Sequence, residues 1–193
     1  MTEGERYAKY LDGARAGWKR HLPLQLPYRW NLRRLDLGFT LDIGCGTGRN
    51  LRHLGGNGVG LDVNPWCVRS ARESGLVAYT VAEFPTSPDA VPARFDSLLF
   101  AHVLEHMKCS EAVSLVRSYL GYLKPGGKLL VIVPQPAGFR SDPTHVDYWS
   151  AQAVAGLYSD LGLSLDRVYS FPFPAAVGEY FRHNETVAIG YKS

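Results

Sequence analysis

From Leu37 onward the sequence predicts an α/β fold: a mostly parallel sheet covered by helices on both faces. Three observations carry that reading. Apolar strand-like runs alternate with helical patterns along most of the chain. A glycine-rich turn, "GCGTG", directly follows the first of those runs. The last two runs have no helix between them, so one of those strands runs antiparallel to its neighbours.

Taken in order, "LGFTLDI" reads as a buried strand and "GRNLRHL" as the start of a helix. "GVGLDV" is a second strand. "NPWCVRSARES" is a helix, with Asn64 as its N-cap and Pro65 in its first turn, where a missing N–H costs nothing. "LVAYTVA" is a third strand, and "FDSLLFAHV" a fourth, apolar on both faces. "SEAVSLVRSYLGYL" is an amphipathic helix with Ser110 as its cap. "PGGKLLVIVP" is a turn and a fifth strand, "SAQAVAGLYSDL" a further helix, and "LSLDRVYSF" and "ETVAIGYK" the two closing strands. Residues 1 to about 35 read as an N-terminal helical extension broken at Pro23 and Pro27, able to act as a lid. Residues 36–193 form the main domain.

The whole chain sets bounds on function. At 193 residues it fits one domain with a substantial core. Apolar residues make up 46% and charged residues 20%, as in ordinary folded proteins. No apolar run reaches the ~20 residues of a membrane span, and the polar N-terminus has no signal-peptide core. The expectation is a cytoplasmic protein without a membrane partner. Three cysteines, Cys45, Cys67 and Cys109, lack C-x-x-C spacing, which predicts free thiols rather than a disulfide framework or zinc ribbon. Net charge is only +3. The basic aromatic stretch from Trp18-Lys19-Arg20-His21 to Arg33-Arg34 reads as a solvated helical segment rather than a nucleic-acid patch.

The stretch "TLDIGCGTGRN" places Asp42 inside the first strand and Gly44, Gly46 and Gly48 just after it. Glycines let a backbone turn sharply and approach a ligand closely. The dinucleotide pattern G-x-G-x-x-G fails, because its sixth position is Arg49. Asp42 would repel a pyrophosphate and suits a ligand with an ammonium group. Asp62, at the end of the second strand, suits the two hydroxyls of a ribose. A ligand with a ribose, a cationic amino-acid end and no obligatory phosphate is S-adenosylmethionine.

On "LDIGCGTGRN", "GLDVNP", "FDSLLFAHVLEHM" and "LKPGGKLLVIVP", in that order and spacing, the chain resembles a class I S-adenosylmethionine-dependent methyltransferase. The resemblance implies a Rossmann-like seven-stranded sheet whose last strand is antiparallel. It implies that Asp42, Gly44, Cys45, Gly46 and Gly48 face the methionine end of the cofactor. Asp62 would hold the ribose, Val63 and Asn64 would lie beside the adenine, and Ala101 and His102 would contact the sulfonium side. Many members carry an Asp after the third strand that accepts from the adenine amino group; in "TVAEFP" the nearest acidic residue is Glu83.

"HVLEH", His102 to His106, also fits the H-x-x-E-H pattern of a zinc peptidase. That pattern needs one continuous helix, whereas here it straddles a strand end and a loop. No metal is expected; the alternative is a non-proteolytic ion on Glu105, His106 and a further group. The leading functional reading is methylation of a small molecule, most simply at a hydroxyl. The rivals are an RNA or protein methyltransferase and a non-catalytic cofactor-binding protein. No Asn/Asp-Pro-Pro-Tyr/Phe motif follows the fourth strand, which speaks against amino-directed nucleic-acid methylation. The segment Gln135 to Trp149 and the loop "FPFPAAVGEYFRHN" are expected to form the acceptor pocket. His145, oriented by Asp142 or Asp147, and then His106, are the candidates for general base.

Overall fold

The computed structural model describes residues 25–193. The Trp18–His21 cluster, Pro23 and most of the expected extension lie outside the described residues. The strands are β1 (Thr40–Ile43), β2 (Gly58–Asp62), β3 (Val77–Thr80), β4 (Phe95–Ala101), β5 (Leu123–Pro134), β6 (Ser164–Phe171) and β7 (Glu185–Tyr191). They form one seven-stranded sheet in the order β3-β2-β1-β4-β5-β7-β6. β7 runs antiparallel to both β5 and β6, so the missing crossover helix was the correct signal. The chain divides into two compact units, meeting in sequence at Ala90 and Val91.

In the first unit β1 pairs in parallel with β2, and β2 with β3. The helices are α1 (Leu26–Arg34), α2 (Arg49–His53) and α3 (Pro65–Glu73). The part of the expected break before Gln25 lies outside the described residues. Pro27 sits in the first turn of α1, where proline's fixed φ suits a helix and no intrahelical N–H is needed. Helix α1, whose Asn31 and Leu32 are buried, packs on α2, and the Arg33 Nε donates to the His53 carbonyl at 2.9 Å. The Asn64 cap is as expected: its side chain accepts the Trp66 N–H at 3.0 Å. Val68, Ala71 and Ala78 then join α3 to β3 in a buried cluster with Leu76.

In the second unit β4 pairs in parallel with β5, flanked by α4 (Cys109–Tyr119), α5 (Pro136–Arg140) and α6 (Ala151–Asp160). Leu98, Leu99 and Phe100 of β4 are fully buried, as an apolar strand covered on both faces requires. Ser150 caps α6, accepting the Ala153 N–H at 3.1 Å. Ser110 does not cap α4. That helix starts one residue earlier, and its first N–H, from Cys109, goes to Asp147 at 3.0 Å. The Glu111 carboxylate accepts the Lys108 N–H just before it at 3.1 Å. A carboxylate 38 residues away outbids the local serine because it brings full negative charge to the positive end of the helix. The three cysteines are free thiols, two buried and Cys109 exposed. Among the described residues no helix is long and apolar enough to cross a membrane.

Candidate active site

The first unit presents the glycine turn. Gly44, Gly46 and Gly48 have φ of 75°, 54° and 82°, the left-handed region that a Cβ makes costly. The Gly44 and Cys45 N–H groups both donate to the Leu61 carbonyl, at 2.8 and 2.9 Å, which ties the turn to β2. Cys45 is buried, and that burial pushes its thiol up, away from reactivity. A residue missed in the sequence explains how the turn fits. A Cβ on Gly60 would meet the Cys45 Sγ at 2.6 Å and Leu51 at 3.0 Å, so β2 needs a glycine where the turn crosses it.

Two carboxylates serve this turn differently. Asp62 acts on the backbone. One oxygen accepts the Gly46 N–H and the other the Asn64 N–H, both at 2.8 Å. Partial burial nevertheless holds its pKa above the ordinary carboxylate value, against those hydrogen bonds. The Val63 N–H also favours its charged form, and with about four acceptor sites on a carboxylate the group can still accept a further hydrogen bond. Asp42 is fully buried; neither oxygen has a hydrogen bond of good geometry, though Asn50 lies close enough to favour its charged form slightly. Burial lifts its pKa from 3.8 to about 7, with Arg49 pulling it down and Asp62 pushing it further up. An unsatisfied buried carboxylate is costly, and such a group suits a cationic ligand. Asn64 is buried and Val63 is exposed beside Asp62. Glu83 is committed to the turn after β3. Its Oε2 accepts from the Thr80 N–H at 2.8 Å and from Arg72 at 2.9 Å, and the Thr80 hydrogen bond leads in holding its pKa down.

The second unit presents a histidine–glutamate cluster after β4. Ala101 is buried, and His102 follows with φ of 60°, a strained conformation for a residue with a Cβ. Its backbone N–H is held by the Ile132 carbonyl at 2.9 Å. Its ring lies between two carboxylates, Nδ1 at 3.2 Å from Glu105 and Nε2 at 2.8 Å from Glu185. Desolvation works against the charged ring, but the two carboxylates win and raise its pKa from 6.5 to about 9. His102 is therefore a cation at neutral pH, with both N–H groups engaged. The sequence held no sign of Glu185, which lies 83 residues away.

Glu105 and His106 form part of a single 3-10 turn, Leu104–His106, so "HVLEH" does not lie on one helix. The segment after α5 is sewn to this turn. The Val146 N–H donates to the Glu105 carbonyl at 2.7 Å, and the buried Trp149 Nε1 donates to the Leu104 carbonyl at 3.1 Å. These contacts bring His145 to the cluster, its Nε2 at 4.0 Å from Glu105 and its ring at 4.9 Å from that of His106. Neither Asp142 nor Asp147 orients His145, contrary to expectation. Its Nδ1 lies 2.8 Å from the Phe139 carbonyl, which accepts a hydrogen bond and cannot donate one. Asp142 instead accepts from the Thr144 N–H and hydroxyl at 2.9 and 2.7 Å, while Asp147 caps α4.

The two expected acceptor loops do meet within this unit. Arg140 of α5 donates to the Glu179 carbonyl at 2.8 Å. Phe139 stacks on His145 at 5.3 Å and meets Tyr148 edge-on at 5.5 Å. Behind them lies a buried amide network. Asn184 donates to Gln135 at 2.8 Å, and Gln135 donates to Ser170 at 2.8 Å. It fixes the start of β7, where Glu185 stands.

A glycine turn after β1, an acidic residue closing β2 and an antiparallel β7 together define the class I methyltransferase architecture. The chain belongs to the family described as "Methyltransferase domain", whose model matches residues 31–168, and it is an S-adenosylmethionine-dependent methyltransferase. Solved structures agree on the fold. A chain from the complex between the Haloferax volcanii Trm112 methyltransferase activator and its candidate methyltransferase is 20% identical, covering 97% of this chain and 96% of that one, with a TM-score of 0.71. Magnesium protoporphyrin IX methyltransferase from Synechocystis PCC 6803, with bound S-adenosylhomocysteine, is 12% identical over 100% of this chain and 96% of its own, at 0.69. The Burkholderia thailandensis 1,6-didemethyltoxoflavin-N1-methyltransferase is 18% identical over 98% and 86%, at 0.64. No curated protein matches the chain in sequence.

Proposed function

We propose that this methyltransferase acts on a small molecule and methylates a hydroxyl oxygen. The observation that carries the reading is the state of two imidazoles. His145 donates its Nδ1–H to the Phe139 carbonyl. The Thr144 hydroxyl gives its only proton to Asp142 at 2.7 Å, so it must accept from the His106 Nδ1 at 3.1 Å. With Nδ1 donating in both rings, Nε2 is the atom of each that can carry a lone pair. A hydroxyl must lose its proton on methylation, and such a pair is placed to accept it. The aromatic side chains of Phe139 and Tyr148 beside His145 suit a ring-bearing acceptor. Two of the structural neighbours are named for small-molecule acceptors, which accords with this reading.

The cofactor fits the first unit. The buried, sparsely partnered Asp42 matches the ammonium of its amino-acid end. The bare backbone from Gly44 through Cys45 to Gly48 allows close approach, Asp62 offers its remaining lone pairs to the ribose, and Val63 and Asn64 flank the adenine. When bound, S-adenosylmethionine supplies an electrophilic methyl group. In the second unit His145, with His106, takes the acceptor proton.

The test is transfer of a labelled methyl group from S-adenosylmethionine to a panel of aromatic alcohols, with matched amines and thiols, the product located by mass spectrometry. His145→Ala should cut turnover on the true acceptor ~10²–10⁴-fold while cofactor affinity stays within about twofold. Methylation confined to the amines would overturn the hydroxyl assignment.

A further inference from the structure

We propose that Glu105, His106 and His145 form a binding site for a divalent transition-metal ion, with zinc as the best match. One ligand atom from each residue lies within 4.8 Å of the other two. Around a tetrahedral zinc with bonds of ~2.1 Å, neighbouring donors lie about 3.4 Å apart, so the three side chains need only draw inward by rotamer adjustment. Glu105 is fully buried, and its Oε2 has no hydrogen-bond partner. A carboxylate oxygen kept from water and left unsatisfied is what a bound cation relieves.

The surroundings of the two histidines point the same way. Metal-bound imidazoles usually donate their other N–H to a carbonyl or similar acceptor, which fixes the ring and the tautomer. Phe139 does this for His145. Thr144, itself held by Asp142, does it for His106. His102 is excluded as a ligand because both its nitrogens are held by carboxylates. The zinc-peptidase set suggested by "HVLEH" is therefore not assembled; the third ligand comes from a loop 39 residues beyond His106. Glu105 faces both groups, its Oε1 lying 3.2 Å from the His102 Nδ1 and 4.0 Å from the His145 Nε2.

Two imidazoles and one carboxylate form the set that binds catalytic zinc with a fourth position open. Magnesium and calcium prefer oxygen ligands, whereas imidazole favours the first-row transition ions. The role of the ion rests on the hydroxyl reading above and the binding does not; a bound ion occupies both Nε2 lone pairs, so with it in place the histidines act through the ion and do not take the proton themselves. At the open position the acceptor oxygen would coordinate the ion, its O–H bond breaking and the proton passing to water. The ion lowers that hydroxyl's pKa, as it does for bound water.

The probe is Zn²⁺ alone, added to the full chain after chelator treatment, followed by titration calorimetry, with Co²⁺ absorption as a signature of nitrogen and oxygen ligation. One ion per chain is expected. Glu105→Gln and His145→Ala should each weaken binding at least tenfold, and so should the partly exposed His106→Gln, which is the variant least disruptive to folding. His183→Asn, away from the cluster, should bind Zn²⁺ like the wild type. Absence of stoichiometric binding, or binding unchanged in His106→Gln, would overturn the site. If Zn²⁺ binds as expected but its removal leaves methyl transfer intact, the site stands and its part in deprotonation falls.

Discussion

Replacing Asp42 with asparagine should stabilise the cofactor-free protein at pH 8 and weaken its grip on S-adenosylmethionine. Asparagine resembles the neutral acid in shape and carries no charge. In the wild type, burial moves the carboxyl pKa from 3.8 to about 7, a difference equivalent to ~4 kcal/mol. The sign follows from proton counts. Between pH ~4 and ~7 the folded chain holds a proton on Asp42 that the unfolded chain has released, so stability falls as pH rises through that window and levels off above it. The full contribution is present only below the unfolded value. Asp42→Asn removes that dependence along with the repulsion felt by Asp62. The variant should therefore match the wild type near pH 4 and exceed it by a few kcal/mol at pH 8, a rise in Tm of roughly 10 °C for this size. Melting curves from pH 4.5 to 8.5, followed by circular dichroism, measure this. Calorimetry at pH 8 should show cofactor affinity down at least tenfold, because the ammonium has lost its buried partner. An asparagine variant that melts no higher than the wild type at pH 8 would refute the reasoning.

S-adenosylmethionine or its demethylated product, at about 100 times the Kd, should add ~2.7 kcal/mol and raise Tm by about 5–11 °C, with no shift from NAD in the same thermal assay. Asp62→Ala should weaken cofactor binding about tenfold and also lower Tm without cofactor, since the Gly46 and Asn64 N–H groups lose their acceptor. Gly46→Val, at a φ of 54°, should abolish cofactor binding in calorimetry. Gly60→Ala should cost ~1–3 kcal/mol in denaturant unfolding, because its Cβ collides with Cys45.

The parts legible in sequence are those written by neighbours in the chain. Asn64 caps a helix that begins at the next residue and accepts the Trp66 N–H, so side chain and target share one window. The glycine turn was readable because three left-handed positions demand three glycines. The misreadings share the opposite cause. Ser110 looked like a cap until Asp147 arrived from a distant loop. His145 was singled out correctly as lying on the acceptor loop, yet its orienting group is a main-chain carbonyl at Phe139. Every residue carries such a carbonyl, so no side-chain pattern could announce it. Glu185, at the start of β7, reaches His102 only once β5 and β7 have paired.

The sewing of the Thr144–Trp149 segment to the turn after β4 bears on how this enzyme could change its acceptor in evolution. Both anchoring carbonyls, of Leu104 and Glu105, belong to the main chain, which survives substitution of the side chains around it. Conformational freedom of the segment is thus lost on folding rather than on each encounter with an acceptor. A lineage can then vary exposed Val146 and Tyr148 to suit new molecules while the histidine beside them stays in register. Selectivity and chemistry occupy adjacent positions of one short segment, and the two can drift at different speeds.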